Sequence, residues 1–399
     1  MITRLGGDRP RALRVDSLEE FDRRAARAHR MRGWHVDGLD LRERGEALEG
    51  LDPKGAVFAG CRLPDGAAGR LRAQGAYVLG SGAWPRAVPR EPAALYTAEQ
   101  LYAGLGEGPY EAVPDARLYA WARRHLGVAG EQPGRADGAR AATRTAALHD
   151  HAITTALQRA VSSGPLRSRA GLVGVMGGHG VDRGSAGYTD AVRLGGALVR
   201  AGARVATGGG PGAMEAAALG GYLASLPDAE PLAVTARLAE VPRPDPSPGA
   251  WARVALDVLH EHSGGTPGLG VPTWFYGHEP PHVFATHVAK YFSNAQREDV
   301  LLAVATGGTV VLPGAAGTVQ EVFQEACDGI YGAPEAAAPM VLVGREFWTS
   351  TLPAWDLLSA LVQGTPLEHR VHLVDSVDEV LPALGLDQAA PVPKSRPST

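Results

Sequence analysis

A chain of 399 residues exceeds the roughly 250–300 at which single cores stop growing, so two domains are expected. With 45% hydrophobic and 21% charged residues and a formal charge of −4, the composition is globular and lacks the basic excess that a nucleic-acid partner would require. The start MITRLGGDRPRALRVDS has no apolar leader and no stretch nears the ~20 apolar residues that span a bilayer, so no membrane partner and a cytoplasmic setting are expected.

Cys61 and Cys327 stand alone, which suggests neither a disulfide framework nor a thiolate metal site. The lysines are Lys54, Lys290 and Lys394; none sits in a Gly-Lys-Ser/Thr phosphate loop, and few could serve as a Schiff-base lysine.

In chain order, Ser17 and Glu20 in capping-box spacing open a helix over 17–31, and Ala56–Gly60 and Ala76–Gly80 read as strands. A helical stretch at Asp115–Leu126 is followed by GVAGEQPGRADGAR, a linker by composition, which places a boundary near residue 135. Residues 1–135 thus form an N-terminal α/β domain of unknown role. From there helices (140–163, 186–201, 212–226, 249–262, 285–304, 317–330) alternate with strands (170–176, 203–207, 231–235, 271–276, 309–312, near 340–344 and 371–374). That alternation predicts a Rossmann-like, doubly wound parallel sheet over 136–387, with 388–399 a disordered tail. No internal repeat is evident. In such folds ligands sit beyond the carboxyl ends of strands, so the loops after Thr207 and Leu312 are the places to inspect.

The first of these loops is Gly208-Gly209-Gly210-Pro211-Gly212-Ala213-Met214-Glu215, running from a strand straight into a helix. Its glycines allow close backbone approach, and the helix start favours a phosphate, although a tight turn alone would also explain them. The second, Pro313-Gly314-Ala315-Ala316-Gly317-Thr318-Val319-Gln320-Glu321, again opens onto a helix, where Thr318 and Glu321 also fit a helix capping box. A third stretch, Met176-Gly177-Gly178-His179-Gly180, lies at the same sheet end; Gly178 and His179, with Met214 and Glu215 of the first loop, are further candidates to line a pocket. Arg297 lies mid-helix ahead of the second loop, beside Glu298 and Asp299, and reads either as a residue reaching the site or as part of a solvated face. The pairs His149/His151 and His260/His262 point to different helix faces, so no metal is expected, and no cofactor is called for.

GGGPGAMEAA at 208–217 and PGAAGTVQE at 313–321 resemble the two signature motifs of the Lonely Guy family, cytokinin-activating phosphoribohydrolases once mislabelled lysine decarboxylases, whose usual forms are GGGxxGxMxA and PGGxGTxxE. The resemblance covers roughly residues 165–345. It implies a Rossmann-like fold, a homodimer or higher homo-oligomer, and hydrolysis of the N-glycosidic bond of a nucleoside 5′-monophosphate to free base and ribose 5-phosphate. It further implies that Glu321 is the catalytic glutamate and Arg297 the catalytic arginine, and that Gly209, Gly210, Gly212, Gly314, Gly317 and Thr318 bind the phosphate. The chain departs from the pattern at Ala315, where the family has a second glycine, at Glu298, where a lysine follows the arginine, and in its added N-terminal residues.

On this reading the phosphate lies at the two helix starts and Glu321 stabilises an oxocarbenium-like centre or activates water, with Arg297 orienting it through paired hydrogen bonds. Two rivals use the same loops. One is a non-catalytic nucleotide-binding or sensing module. The other is a dinucleotide-dependent oxidoreductase, disfavoured because the first loop reads Gly-x-Gly-x-x-Ala, without the third glycine of the usual Gly-x-Gly-x-x-Gly, and the strand expected at PLAVTARL ends on no convincing acidic residue.

Overall fold

The computed structural model describes residues 13–15, 17–79, 92–127, 136–226, 230–276, 279–333 and 337–386. The expected tail 388–399 and the boundary near 135 lie outside these residues. Two compact units emerge: Met1–Glu91 with Ala120–His149, and Pro92–Tyr119 with Asp150–Thr399. The division is therefore interleaved rather than a single cut. Segment 92–119 belongs to the second unit because the buried Asp115 carboxylate takes both the Lys290 ammonium, at 2.7 Å, and the Trp274 indole N–H, at 2.9 Å. Tyr96 and Val288 also exchange backbone hydrogen bonds.

The first unit runs β1 (Leu13–Val15), α1 (Leu18–Ala25), β2 (Trp34–Asp37), α2 (Gly45–Glu49), β3 (Val57–Ala59), α3 (Ala67–Ala73) and β4 (Tyr77–Leu79). Its sheet is all parallel in the order β1-β2-β3-β4. Val15 pairs with Val36, Val36 with Phe58 and Phe58 with Val78, offsets of 21, 22 and 20 residues. These four side chains stack inward as the spine of a core. Before successive strands the turn glycines Gly33, Gly55 and Gly75 take positive φ and form a backbone ladder, Gly33 N–H to Gly55 O and Gly55 N–H to Gly75 O. This is an internal repeat, contrary to the sequence expectation: strand–helix units follow one another in sheet order, and their apolar side chains share one core. The first helix also stops at Ala25, short of the expected Met31, because the chain turns so that the Met31 N–H can reach Asp52 O.

The long helices α5 (Pro114–Leu126), after the short α4 (Ala98–Leu101), and α6 (Ala136–Ser162) precede the large sheet. Then follow β5 (Leu172–Met176), α7 (Ala186–Arg200), β6 (Arg204–Thr207), α8 (Ala213–Leu223), α9 (Pro231–Leu238), α10 (Pro248–Glu261), β7 (Leu269–Gly270), β8 (His287–Val288), α11 (Asn294–Val304), β9 (Gly308–Val311), α12 (Ala316–Tyr331), β10 (Met340–Val343), α13 (Trp355–Val362), β11 (Val371–Val374) and α14 (Val380–Ala383). Seven parallel strands lie in the order β11-β10-β9-β5-β6-β7-β8. The central strands β5, β9 and β10 are buried along their whole length, as a sheet covered on both faces requires. The chain winds outward from β5 through β6 to β8, then returns to lay β9 on the other side of β5. This makes the β5/β9 boundary the switch point of an α/β, doubly wound, Rossmann-like fold.

Three expected elements differ. Residues 231–235 are helical, not a strand: Pro231 sits in the first turn and Val234, Thr235 and Leu238 bury one face. The strand expected at 271–276 is only Leu269–Gly270, after which the chain leaves the sheet except for a single bridge from Thr273 to Tyr291. The long helix expected over 285–304 is split. His287–Val288 forms an edge strand, and α11 starts only at Asn294, where Ser293 caps it and the Asp150 carboxylate receives the Phe292 and Ser293 N–H groups. Among the described residues no helix is long and apolar enough to cross a membrane.

Candidate active site

Three strand-to-helix loops meet at the switch point. Gly178 joins them: its N–H donates to Pro313 O at 3.0 Å, and its carbonyl accepts from Ala213 N at 3.1 Å. Gly212 has φ +74, and a Cβ there would lie 2.5 Å from Gly178 O, so the first loop closes on the third only without a side chain. Gly209, at φ +78, is constrained alike by Pro272, 2.6 Å from where a Cβ would stand. Both α8 and α12 begin without a side-chain cap, their N-cap positions being Gly212 and Ala315. Apart from Ala213 N–H, which Gly178 O takes, their first-turn N–H groups and positive dipole ends are thus free of side-chain caps and face an incoming anion. Ala315 has φ −110, an ordinary extended conformation, so the alanine does not disturb the second loop. Thr318 packs tightly on Gly314, whereas Gly317 opens to free space.

Arg297, from α11, and Glu321, from the second turn of α12, converge beside these loops: Arg297 Nη1 donates to Glu321 Oε1 at 2.9 Å, with side chains 13% and 10% exposed. The same Nη1 lies 3.7 Å from where a Cβ on Gly208 would stand, so the guanidinium spans from the first loop to the second helix. Arg297 is thus not on a solvated face, and Thr318 with Glu321 is not a capping box, because α12 starts at Ala316 and the Glu321 carboxylate is spent on Arg297. Burial pushes the Glu321 carboxyl above its usual range; Arg297 pulls it back and Glu298 pushes it further up. Glu298 is itself buried and accepts from Asn294 Nδ2 at 2.7 Å and from the Gln320 amide. Two neutral amides therefore accommodate the carboxylate that replaces the lysine of the resemblance.

The other expected pocket residues divide. Met214 lies against Gly208 and Gly210, lining the first loop, and His179 is exposed with Nδ1 3.6 Å from Glu279. Glu215, expected in the pocket, is fully buried in an ion pair with Arg183, whose Nε donates to it at 2.9 Å. The guanidinium also donates to Val241 O and Trp251 O and stacks 4.4 Å from the Trp251 ring, an arrangement that holds the fold beneath the first loop's helix and leaves the Glu215 carboxylate no free oxygen. Sequence reasoning missed His282, whose Nε2 meets Thr207 Oγ1 at 3.0 Å and whose backbone N–H holds Gly209 O. Burial, with the Arg183 charge, pulls this imidazole down to about 3, so it supports the first loop as a neutral ring. It also missed Tyr276, Asn294 and Glu279: Tyr276 fell at the end of an expected strand, Asn294 inside an expected helix, and Glu279 in neither.

No family model matches this chain. No curated protein matches it either. Similar solved structures include the molybdenum cofactor carrier protein from Chlamydomonas reinhardtii, at 20% identity and TM-score 0.34 over 54% of this chain and 97% of that one. The molybdenum cofactor binding protein from the phototrophic bacterium Rippkaea orientalis aligns at 16% identity and TM-score 0.31 over 54% and 96%. Similarity at this level does not speak to what this chain binds.

Proposed function

We propose that the second unit hydrolyses the N-glycosidic bond of a nucleoside 5′-monophosphate, releasing the free base and ribose 5-phosphate. The observation that carries this reading is the Arg297–Glu321 pair, buried and joined at 2.9 Å beside two helix starts that lack side-chain caps at the switch point. The helix starts supply N–H groups for the 5′-phosphate, which sets the sugar near Glu321. As the C1′–N bond breaks, positive charge develops on the ribose. A carboxylate with little water around it stabilises that charge strongly and takes the proton of the attacking water, whose oxygen bonds to C1′ while the base nitrogen gains a proton. Arg297 fixes the carboxylate by a charge-assisted hydrogen bond.

The test is release of base and ribose 5-phosphate from a panel of nucleoside 5′-monophosphates, with Glu321→Gln alongside. The wild type turns over at least one member, Glu321→Gln lowers the rate by about 10²-fold or more, and the wild-type rate climbs with pH along a limb displaced above the ordinary carboxylate range. Binding without release from any member would refute the hydrolase and leave a nucleotide-binding module.

A further inference from the structure

We infer that the turn after β7 and the first residue of α11 form the subsite for an aromatic base, with the Tyr276 ring, flanked by Phe275, as its stacking face and Asn294 Oδ1 as an acceptor for an N–H of that base. This deepens the proposed function and rests on it.

Beyond Gly270 the chain leaves the sheet and is pinned by Thr273, whose hydroxyl donates to Tyr291 O at 3.1 Å and accepts from Phe275 N at 3.0 Å. Trp274 turns inward and is buried, while Phe275 and Tyr276 remain at the surface, 38% and 45% exposed, with their rings edge to face at 5.2 Å. Among the described residues of this unit, the other exposed large apolar side chains, Leu232, Tyr331, Leu357 and Leu361, lie singly or along helices; here two aromatics are adjacent. Tyr276 is held in place, since its hydroxyl accepts from Asn294 Nδ2 at 3.1 Å. Asn294 opens α11, and Arg297 follows one turn later on the same helix, so the ring is anchored a single turn from the Arg297–Glu321 pair.

Asn294 adds an independent sign of a ligand. Its side chain is buried, 8% exposed, and its Nδ2 is engaged by Glu298 as well as by Tyr276, which fixes the orientation of the amide. Oδ1, on the opposite side, is buried with no hydrogen-bond partner. A buried acceptor left unfilled is costly, and a donor on an incoming group satisfies it. An aromatic base brings both a π face for Tyr276 and N–H donors at its edge; ribose and phosphate bring no such face.

The experiment measures binding of adenosine 5′-monophosphate and of ribose 5-phosphate by calorimetry to the full chain carrying Glu321→Gln, so that ligand is not consumed. Adding Tyr276→Ala weakens the nucleotide by about tenfold or more, the range for one lost base–aromatic stack, and leaves ribose 5-phosphate unchanged. Tyr276→Phe, which keeps the ring, stays within a few-fold of its parent. Equal losses for both ligands, or no loss for the nucleotide, would overturn the subsite. If the parent binds ribose 5-phosphate and the nucleotide no tighter, the subsite fails while the phosphate site stands; if it binds neither, the proposed function falls with it.

Discussion

Replacing Glu325 by glutamine is expected to stabilise the folded chain at neutral and alkaline pH and to change little in acid. Glu325 lies one turn beyond Glu321 on α12, is 8% exposed, and has its carboxyl pushed from 4.5 up to about 7, chiefly by burial and then by the charge of Asp328. Between those two values the folded chain keeps the proton that the unfolded chain has released. Stability therefore falls as pH rises through that window, and above about 7 the whole cost is present. At about 1.4 kcal/mol per pH unit, an interval of about 2.5 units is worth ~3 kcal/mol. Glutamine is neutral throughout and has nearly the shape of the protonated acid, so it removes the cost without opening a cavity. Urea denaturation of both proteins at pH 8 and pH 5 measures this: the variant is more stable by ~3 kcal/mol at the higher pH and by less than about 1 kcal/mol at the lower. A gap of the same size at both values, or of opposite sign, would refute the assignment of a desolvated carboxyl to this position.

Arg183→Met strands the buried Glu215 carboxylate and is expected to cost about 3–5 kcal/mol in denaturant unfolding, whereas the double variant Arg183→Met/Glu215→Leu recovers most of that loss. A loss that the second substitution does not relieve would show that the pair is not what holds α8 in place. Gly209→Ala meets both a positive φ and Pro272, so it is expected to lower stability by about 2–4 kcal/mol and to weaken phosphate-ligand binding, both readable in thermal shifts with and without ribose 5-phosphate. Wild-type behaviour would place the first loop away from Pro272.

Much of the second unit was legible from the chain alone. Strands such as GLVGVM and TVVL are continuous apolar runs because both faces of a parallel sheet are covered, and each is followed by glycines and a helix, so the β5, β6 and β9 loops could be placed within a residue or two. Glu321 and Arg297 were candidates on the same footing as a cap and a surface arginine. Only their approach to 2.9 Å, across 24 residues, separates these readings. The segments 231–235, 271–276 and 285–304 differ from expectation for a common reason: hydropathy records burial without recording backbone conformation, so a short helix at 231–235 reads as a strand, and irregular or edge structure in 271–276 and 285–293 reads as a strand and a helix.

The first unit marks the limit more sharply. Its strands are 3 or 4 residues long, and its repeat consists of one or two inward apolar positions and a turn glycine in each coil, too sparse to stand out from the surrounding arginines and alanines. The sequence by itself determined the alternation of strand and helix, the parallel sheet and the glycine-lined helix starts, because these follow from local period and backbone freedom. Tertiary structure decided which charges meet: Glu215 with Arg183, Asp115 with Lys290, Glu321 with Arg297. The cost of burying a charge is set by partners far away in the chain, and no local pattern encodes them.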